Sequence, residues 1–185
     1  MSTVFEKFDP KIIEKWRNLP EYKTGEVINN ELFVTHILNP RNAYLLTQLV
    51  RLLNFSTKNK KNNDWLILHG TELYFENNIL VQDIAGFLRE KSPKLLEEKN
   101  LTTIPVWCCE IVTDESEFLD LKIKVPLYAK VGIEYLWTFD TRKKILQAFK
   151  NESNIWKLIG TYSENDNVKV EPFTDVVFTI NEIWN

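Results

Sequence analysis

PVWCCEIV (105–112) is apolar at every position of a strand-like alternation except Glu110, and its reading decides the fold. A run that is apolar on both faces belongs in the middle of a sheet covered on both sides. The segment ILVQDIAGF (79–87) reads the same way and also carries a single acid, Asp83. Alternation places Cys108, Glu110 and Val112 on one face of the first segment, and Val81, Asp83 and Ala85 on one face of the second. Burying an ionised carboxylate alone costs several kcal/mol, so such acids need donors or a cation. Mg²⁺ suits two carboxylates, because it keeps waters and leaves room for a phosphate oxygen. The plain alternative, that each acid caps a helix or pairs with a lysine, stays open on strand position alone.

Working outward, FDPKIIEKWRNLP (8–20) predicts a short amphipathic helix, with Asp9 as N-cap and Pro10 in its first turn. TGEVINNELFVTHI (24–37) predicts a hairpin turning at Asn29-Asn30, because Asn tolerates the positive φ that a two-residue turn demands. Glu26 then pairs with Phe33 and Ile28 with Glu31, all on one face, opposite Val27, Leu32 and Val34. Leucines at helical spacing after Pro40 mark a core-packing helix. WLILHG, TELYF and ILVQDIAGF read as a three-segment meander, divided at Gly70 and at Asn77-Asn78. SPKLLEEKN predicts a short helix, and SEFLDLKIKVPLYAKVG a longer one that Pro126 kinks or breaks and Gly132 ends. Four β-rich runs close the chain, the last of them DVVFTI, before a short turn at NEIW. The whole predicts an α/β (α+β) fold with a mixed central β-sheet flanked by helices.

A chain of 185 residues with 44% hydrophobic residues can bury one core, so one domain spanning 1–185 is expected, with 1–23 as a helical lead-in. No apolar run approaches the roughly 20 residues of a membrane span, and the first residues lack a signal peptide's apolar core. A cytoplasmic protein with no membrane partner is expected. Cys108 and Cys109 are adjacent, which an ordinary disulfide cannot join without strain, so both are read as free core thiols. A net charge of −3 excludes a histone-like nucleic-acid binder but not a local basic patch.

Several pieces, taken in order, resemble the Uma-two family of restriction-endonuclease-like proteins in the PD-(D/E)XK nuclease superfamily. They are an acid before IAGFLREK, then CEIV, then Asp120 and Lys124 ahead of PLYAKVGIEYLW, then FD and a β-rich tail. Joint occurrence over most of the chain after Thr24 is far more specific than any single piece. The resemblance implies a restriction-endonuclease-like fold and hydrolysis of DNA phosphodiester bonds with Mg²⁺, or Mn²⁺ as a substitute. It implies Asp83 and Glu110 as metal ligands and Lys124 as the catalytic lysine, moved to a helix from the strand position held here by Val112. Glu26, as a further catalytic residue in contact with the metal or its water, and with less weight Glu31, match family positions near the site. Duplex cleavage needs two active sites or two visits, so a homodimer is expected. Arg89, Lys91 and Lys94 follow Asp83 and could meet DNA phosphates.

Independently of the resemblance, Asp120 and Lys124 are four apart and share a helix face, which suits orientation of the lysine or a plain surface ion pair. Three departures matter. Gln82 stands where the family has proline, Asn42 where many relatives carry histidine, and TDES (113–116) adds Asp114 and Glu115 near a site that must admit a polyanion. These favour a rival, a catalytically degenerate member that binds nucleic acid or serves assembly. His36 and His69 lack a second ligand at metal spacing and read as structural. Lys58, Lys60 and Lys61 read as a solubilising loop.

Overall fold

The computed structural model describes residues 3–36, 38–57 and 64–184; Lys58, Lys60 and Lys61 lie outside them. Helix α1 (Pro10–Arg17) starts as expected, its N-cap Asp9 accepting the Lys11 N–H at 2.8 Å. Strands β1 (Lys23–Ile28) and β2 (Glu31–His36) form the hairpin in the predicted register, Glu26 opposite Phe33 and Ile28 opposite Glu31. Its turn residues Asn29 and Asn30 adopt φ of 52° and 61°. Helix α2 (Pro40–Thr57) follows.

The expected meander is a two-strand hairpin instead: β3 (Trp65–Phe75) runs unbroken through Gly70 and pairs along its length with β4 (Asn78–Leu88). Gly70 takes φ of +59° within the strand rather than ending it, because glycine can adopt that conformation without the steric penalty other residues meet. SPKLLEEKN yields only a 3-10 turn at Leu95–Glu97 with no side-chain cap. Glu98 instead accepts from the backbone of Thr102 and Thr103, which tethers the segment to the following loop.

Strand β5 (Trp107–Val112) is buried at every residue and pairs antiparallel with β4 and parallel with β6 (Tyr135–Asp140). Between β5 and β6 the chain forms a π-helix (Phe118–Lys124) that passes directly into α3 (Val125–Val131), capped by Gly132 at φ 95°. Pro126 therefore neither breaks nor ends the helix. In an α register its ring would clash with the carbonyl four residues back, and the wider π register ahead of it relieves that conflict. Strands β7 (Ile145–Glu152) and β8 (Ile155–Ser163) complete the sheet, ordered β2-β1-β4-β5-β6-β7-β8 with β3 on β4. DVVFTI contributes only β10 (Phe178–Thr179), paired with β9 (Asn167–Val168), and the final turn is helix α4 (Ile180–Trp184).

The mixed sheet flanked by helices is thus as expected. On one face α2 packs Leu45, Leu49 and Leu53 near Ile84, Cys109 and Ile111. On the other, Leu119 and Tyr128 pack near Leu80, Cys108 and Leu136. The strands carrying the acids are pinned at Gly86, where an added Cβ would lie 2.9 Å from Trp107 Cε3 and 3.2 Å from Trp65 Cε3. Gly86→Ala is expected to lower stability by about 1–3 kcal/mol through overpacking, read as a lower urea midpoint. An unchanged midpoint would mean that the indoles move aside without cost.

Candidate active site

The β4–β5 ladder runs Gly86–Trp107, Ala85–Cys108, Ile84–Cys109 and stops. The next pair in register is Asp83 and Glu110, where side chains take over from backbone. The Ile111 N–H donates to Asp83 Oδ2 at 2.7 Å, and the Asp83 N–H makes a long contact of 3.5 Å to Glu110 Oε2. Asp83 is also absent from the β3 ladder, whose bridges step from His69–Ile84 to Thr71–Gln82 past Gly70. The interrupted pairing opens the sheet at Asp83, and each carboxylate reaches across to the backbone of the other strand.

The π-helix supplies the cation. Lys124 Nζ donates to Val81 O at 2.8 Å and lies 3.0 Å from Glu110 Oε1, 3.1 Å from Asp120 Oδ1 and 3.2 Å from Glu26 Oε1. Glu26 uses its other oxygen to accept the Val81 N–H at 2.8 Å, so the chain itself engages both of its oxygens. The Tyr128 hydroxyl donates to Glu110 Oε1. Lys124 and Glu110 are buried, 2% and 0% exposed, which makes this a core network and not the surface ion pair that four-residue spacing alone allowed.

Charge is unbalanced here: Glu26, Asp83, Glu110 and Asp120 surround one lysine. Burial pushes the Glu110 carboxyl well above the ordinary carboxylate range, with Asp120, Asp83 and Glu26 adding to the rise against the opposing pull of Lys124. Burial likewise raises Glu26, and lifts Asp83 to about 6. Burial would lower the Lys124 ammonium, but Glu110 and Glu26 more than reverse it and hold the lysine charged.

A cleft of about 480 Å³ opens onto this cluster, reaching Glu26, Asp83, Asp120 and Lys124. Its far wall carries Thr47, His69, Thr113 and Ser116. Among the described residues that line it, Lys124 is the one cation, and Glu115 adds an acid.

Over residues 13–181 the sequence matches the Uma2 family model, described as "putative restriction endonuclease". This chain belongs to the Uma2 family. No curated protein matches it. A solved structure described as a "putative nuclease belonging to DUF820", from Anabaena variabilis, superposes with a TM-score of 0.75 at 15% identity. The match covers 93% of this chain and 96% of that one, which shows a shared fold. The protein is therefore restriction-endonuclease-like in family and architecture.

Within this Uma2 chain the structure brings together Glu26, Asp83, Glu110, Asp120 and Lys124, and leaves Glu31, Arg89, Lys91 and Lys94 outside the cleft. Glu31 is exposed at the hairpin end. Arg89, Lys91 and Lys94 lie past the end of β4, at least six residues from Asp83 along the chain, roughly 20 Å if the chain stays extended. Arg89 Nε sits 3.4 Å from Asp64 Oδ1 and Lys91 Nζ 3.5 Å from Glu134 Oε1, and none of the three lines the cleft. Asp114 is paired with Arg142 at 2.8 Å, which offsets its charge. Both cysteines are buried free thiols. His69 is an exposed wall residue of the cleft rather than a core one. No described helix is long and apolar enough to cross a membrane.

Tyr128 is the site residue that the sequence reading missed. In the sequence it is one more position at the helical spacing of Phe118, Leu119, Ile123 and Leu127. Its step of four residues from Lys124, itself four from Asp120, was the available signal.

Proposed function

We propose that this Uma2 protein is a Mg²⁺-dependent endonuclease that hydrolyses DNA phosphodiester bonds. The observation that carries the reading is the placement of Asp83 and Glu110 side by side where the sheet opens, backed by a buried lysine. The donor set fits the ion. Asp83 and Glu110 are neighbours across the two strands, and two carboxylates suit Mg²⁺, which otherwise prefers waters and substrate oxygens. Mn²⁺ would serve as a substitute.

Asp83 and Glu110 would hold the ion. When bound, it would supply Lewis-acid stabilisation of phosphate charge and a water of lowered pKa. Glu26 and Asp120 hold Lys124 against the metal-side carboxylate, keeping a fixed positive charge in a site that would otherwise repel a phosphate. All protons of that ammonium are already engaged by chain oxygens, so a direct contact with phosphate would require Lys124 to release one of them. The Ser116 hydroxyl offers a neutral donor to the sugar-phosphate backbone, whereas those of Thr47 and Thr113 are spent on Ala43 O and on Ser116 Oγ.

The test is cleavage of supercoiled, linear and single-stranded DNA with Mg²⁺ or Mn²⁺, together with Mn²⁺ binding to wild type and Glu110→Gln. Expected are cleavage by wild type, binding near one ion per chain, and loss of both in the variant. Equal residual cleavage by the two proteins would point to a contaminant and sink the reading. The scarcity of cations along the cleft favours a second reading, a nucleic-acid-binding or assembly protein without cleavage. Metal binding without cleavage of any substrate would select it.

A further inference from the structure

We propose that Tyr128 is a positioning residue that fixes the plane of the Glu110 carboxylate, so that one oxygen is held towards the metal-binding side of the site. The inference rests on the metal-dependent reading above. Glu110 Oε1 takes the Tyr128 hydroxyl and the Lys124 ammonium together, while Oε2 lies beside the Asp83 N–H. The terminal torsion of a glutamate is broad, so without an anchor the carboxylate plane swings over a wide range. Lys124 is a poor anchor by itself, because it spreads its protons over Glu110, Glu26, Asp120 and Val81. The phenol gives one directed bond.

The ring is packed among Leu73, Leu80, Cys108, Leu119, Ile133 and Leu136 and is fully buried. Phenylalanine would fill that space equally well, and the hydroxyl donates to Glu110. A buried hydroxyl that must find a partner has found a carboxylate proposed as a metal ligand, an outer contact of the kind that orients ligands and tunes affinity.

The π-to-α junction explains how the phenol arrives there. Four residues overshoot a full α turn by about 40°, whereas in the wider π register, closed by the Val125 N–H on Asp120 O, four residues fall short of one. The step from Asp120 to Lys124 is therefore rotated one way and the step from Lys124 to Tyr128 the other. The two drifts offset, so Asp120 and Tyr128 return to nearly one helix face with Lys124 between them, the aspartate bonded to the lysine and the phenol and the lysine to Glu110.

Mn²⁺ binding followed by electron paramagnetic resonance tests this without requiring turnover. Tyr128→Phe is expected to fold, with a melting temperature within a few degrees of wild type, and to bind Mn²⁺ about 10-fold more weakly. Where cleavage is measurable, the KM for metal should rise while kcat at saturating metal largely recovers. 3-Fluorotyrosine introduced at position 128 keeps the donor and should restore wild-type affinity. Binding by Tyr128→Phe within twofold of wild type would overturn the proposal while leaving the metal site standing, and failure of that variant to fold would assign the hydroxyl to stability alone. Absence of Mn²⁺ binding by wild type would overturn both readings.

Discussion

Lys124→Ala is expected to cost about 3–5 kcal/mol of stability at pH 8, the range for stripping the partner from buried charges. Glu110 and Glu26 sit at 0% and 4% exposure, and Asp120 at 3%, with the lysine as their shared cation. Without it, at least one of these acids must take up a proton, which is cheap at low pH and expensive at high pH. The loss should therefore shrink when unfolding is measured at pH 5. DNA cleavage should disappear with it. A loss under about 1 kcal/mol, or one that does not vary with pH, would mean that the carboxylates are already neutral and that Lys124 is not their counterion.

Asp83→Asn should have the opposite effect on stability while also abolishing cleavage. Asp83 is raised from 3.8 to about 6 by burial, outweighing the lowering by Lys124. A carboxyl with a raised folded-state pKa binds protons more tightly folded than unfolded. It therefore subtracts stability above about pH 6, and the penalty fades as pH falls towards 4. A shift of about two units corresponds to nearly 3 kcal/mol, and we discount this to about 1–2 kcal/mol because the carboxyl faces an open cleft. The amide removes the charge and can still accept the Ile111 N–H through its carbonyl. Asp83→Asn should thus be more stable than wild type at pH 8, equal to it near pH 4, and unable to bind Mn²⁺. A variant less stable at pH 8 would show that the charge is compensated in the metal-free protein, and retained Mn²⁺ binding would remove Asp83 from the site.

Sequence patterning carried much of this arrangement. Glu110 was legible because one acid interrupted an otherwise apolar strand; the hairpin register gave the face of Glu26, but only the family resemblance put that residue near the site. Asp120 and Lys124 were legible as a pair, though whether they faced solvent or core was not, since spacing sets angle and not depth. Gly70 was misread because a glycine with positive φ looks the same in sequence whether it ends a strand or sits within one. Only the pairing of β3 with β4 in one register on both sides of Gly70 decides between them. Tyr128 escaped because an aromatic residue at helical spacing is normally core, and its ring does serve the core while its hydroxyl serves the site. The π register lay beyond reach because proline signals only that an α register is in conflict, not how the backbone resolves it.

That register leaves slack in the length of the chain. A π turn holds one residue more than the α turn it replaces, so deleting Leu121 or Lys122 would let the segment relax into an ordinary α-helix. Asp120 and Lys124 would then stand three apart in an α register, still on one face and within roughly 30° of their present relation. A relative that is one residue shorter between the aspartate and the lysine can therefore keep the same alignment, and the spacing of the two letters alone does not tell kin from stranger.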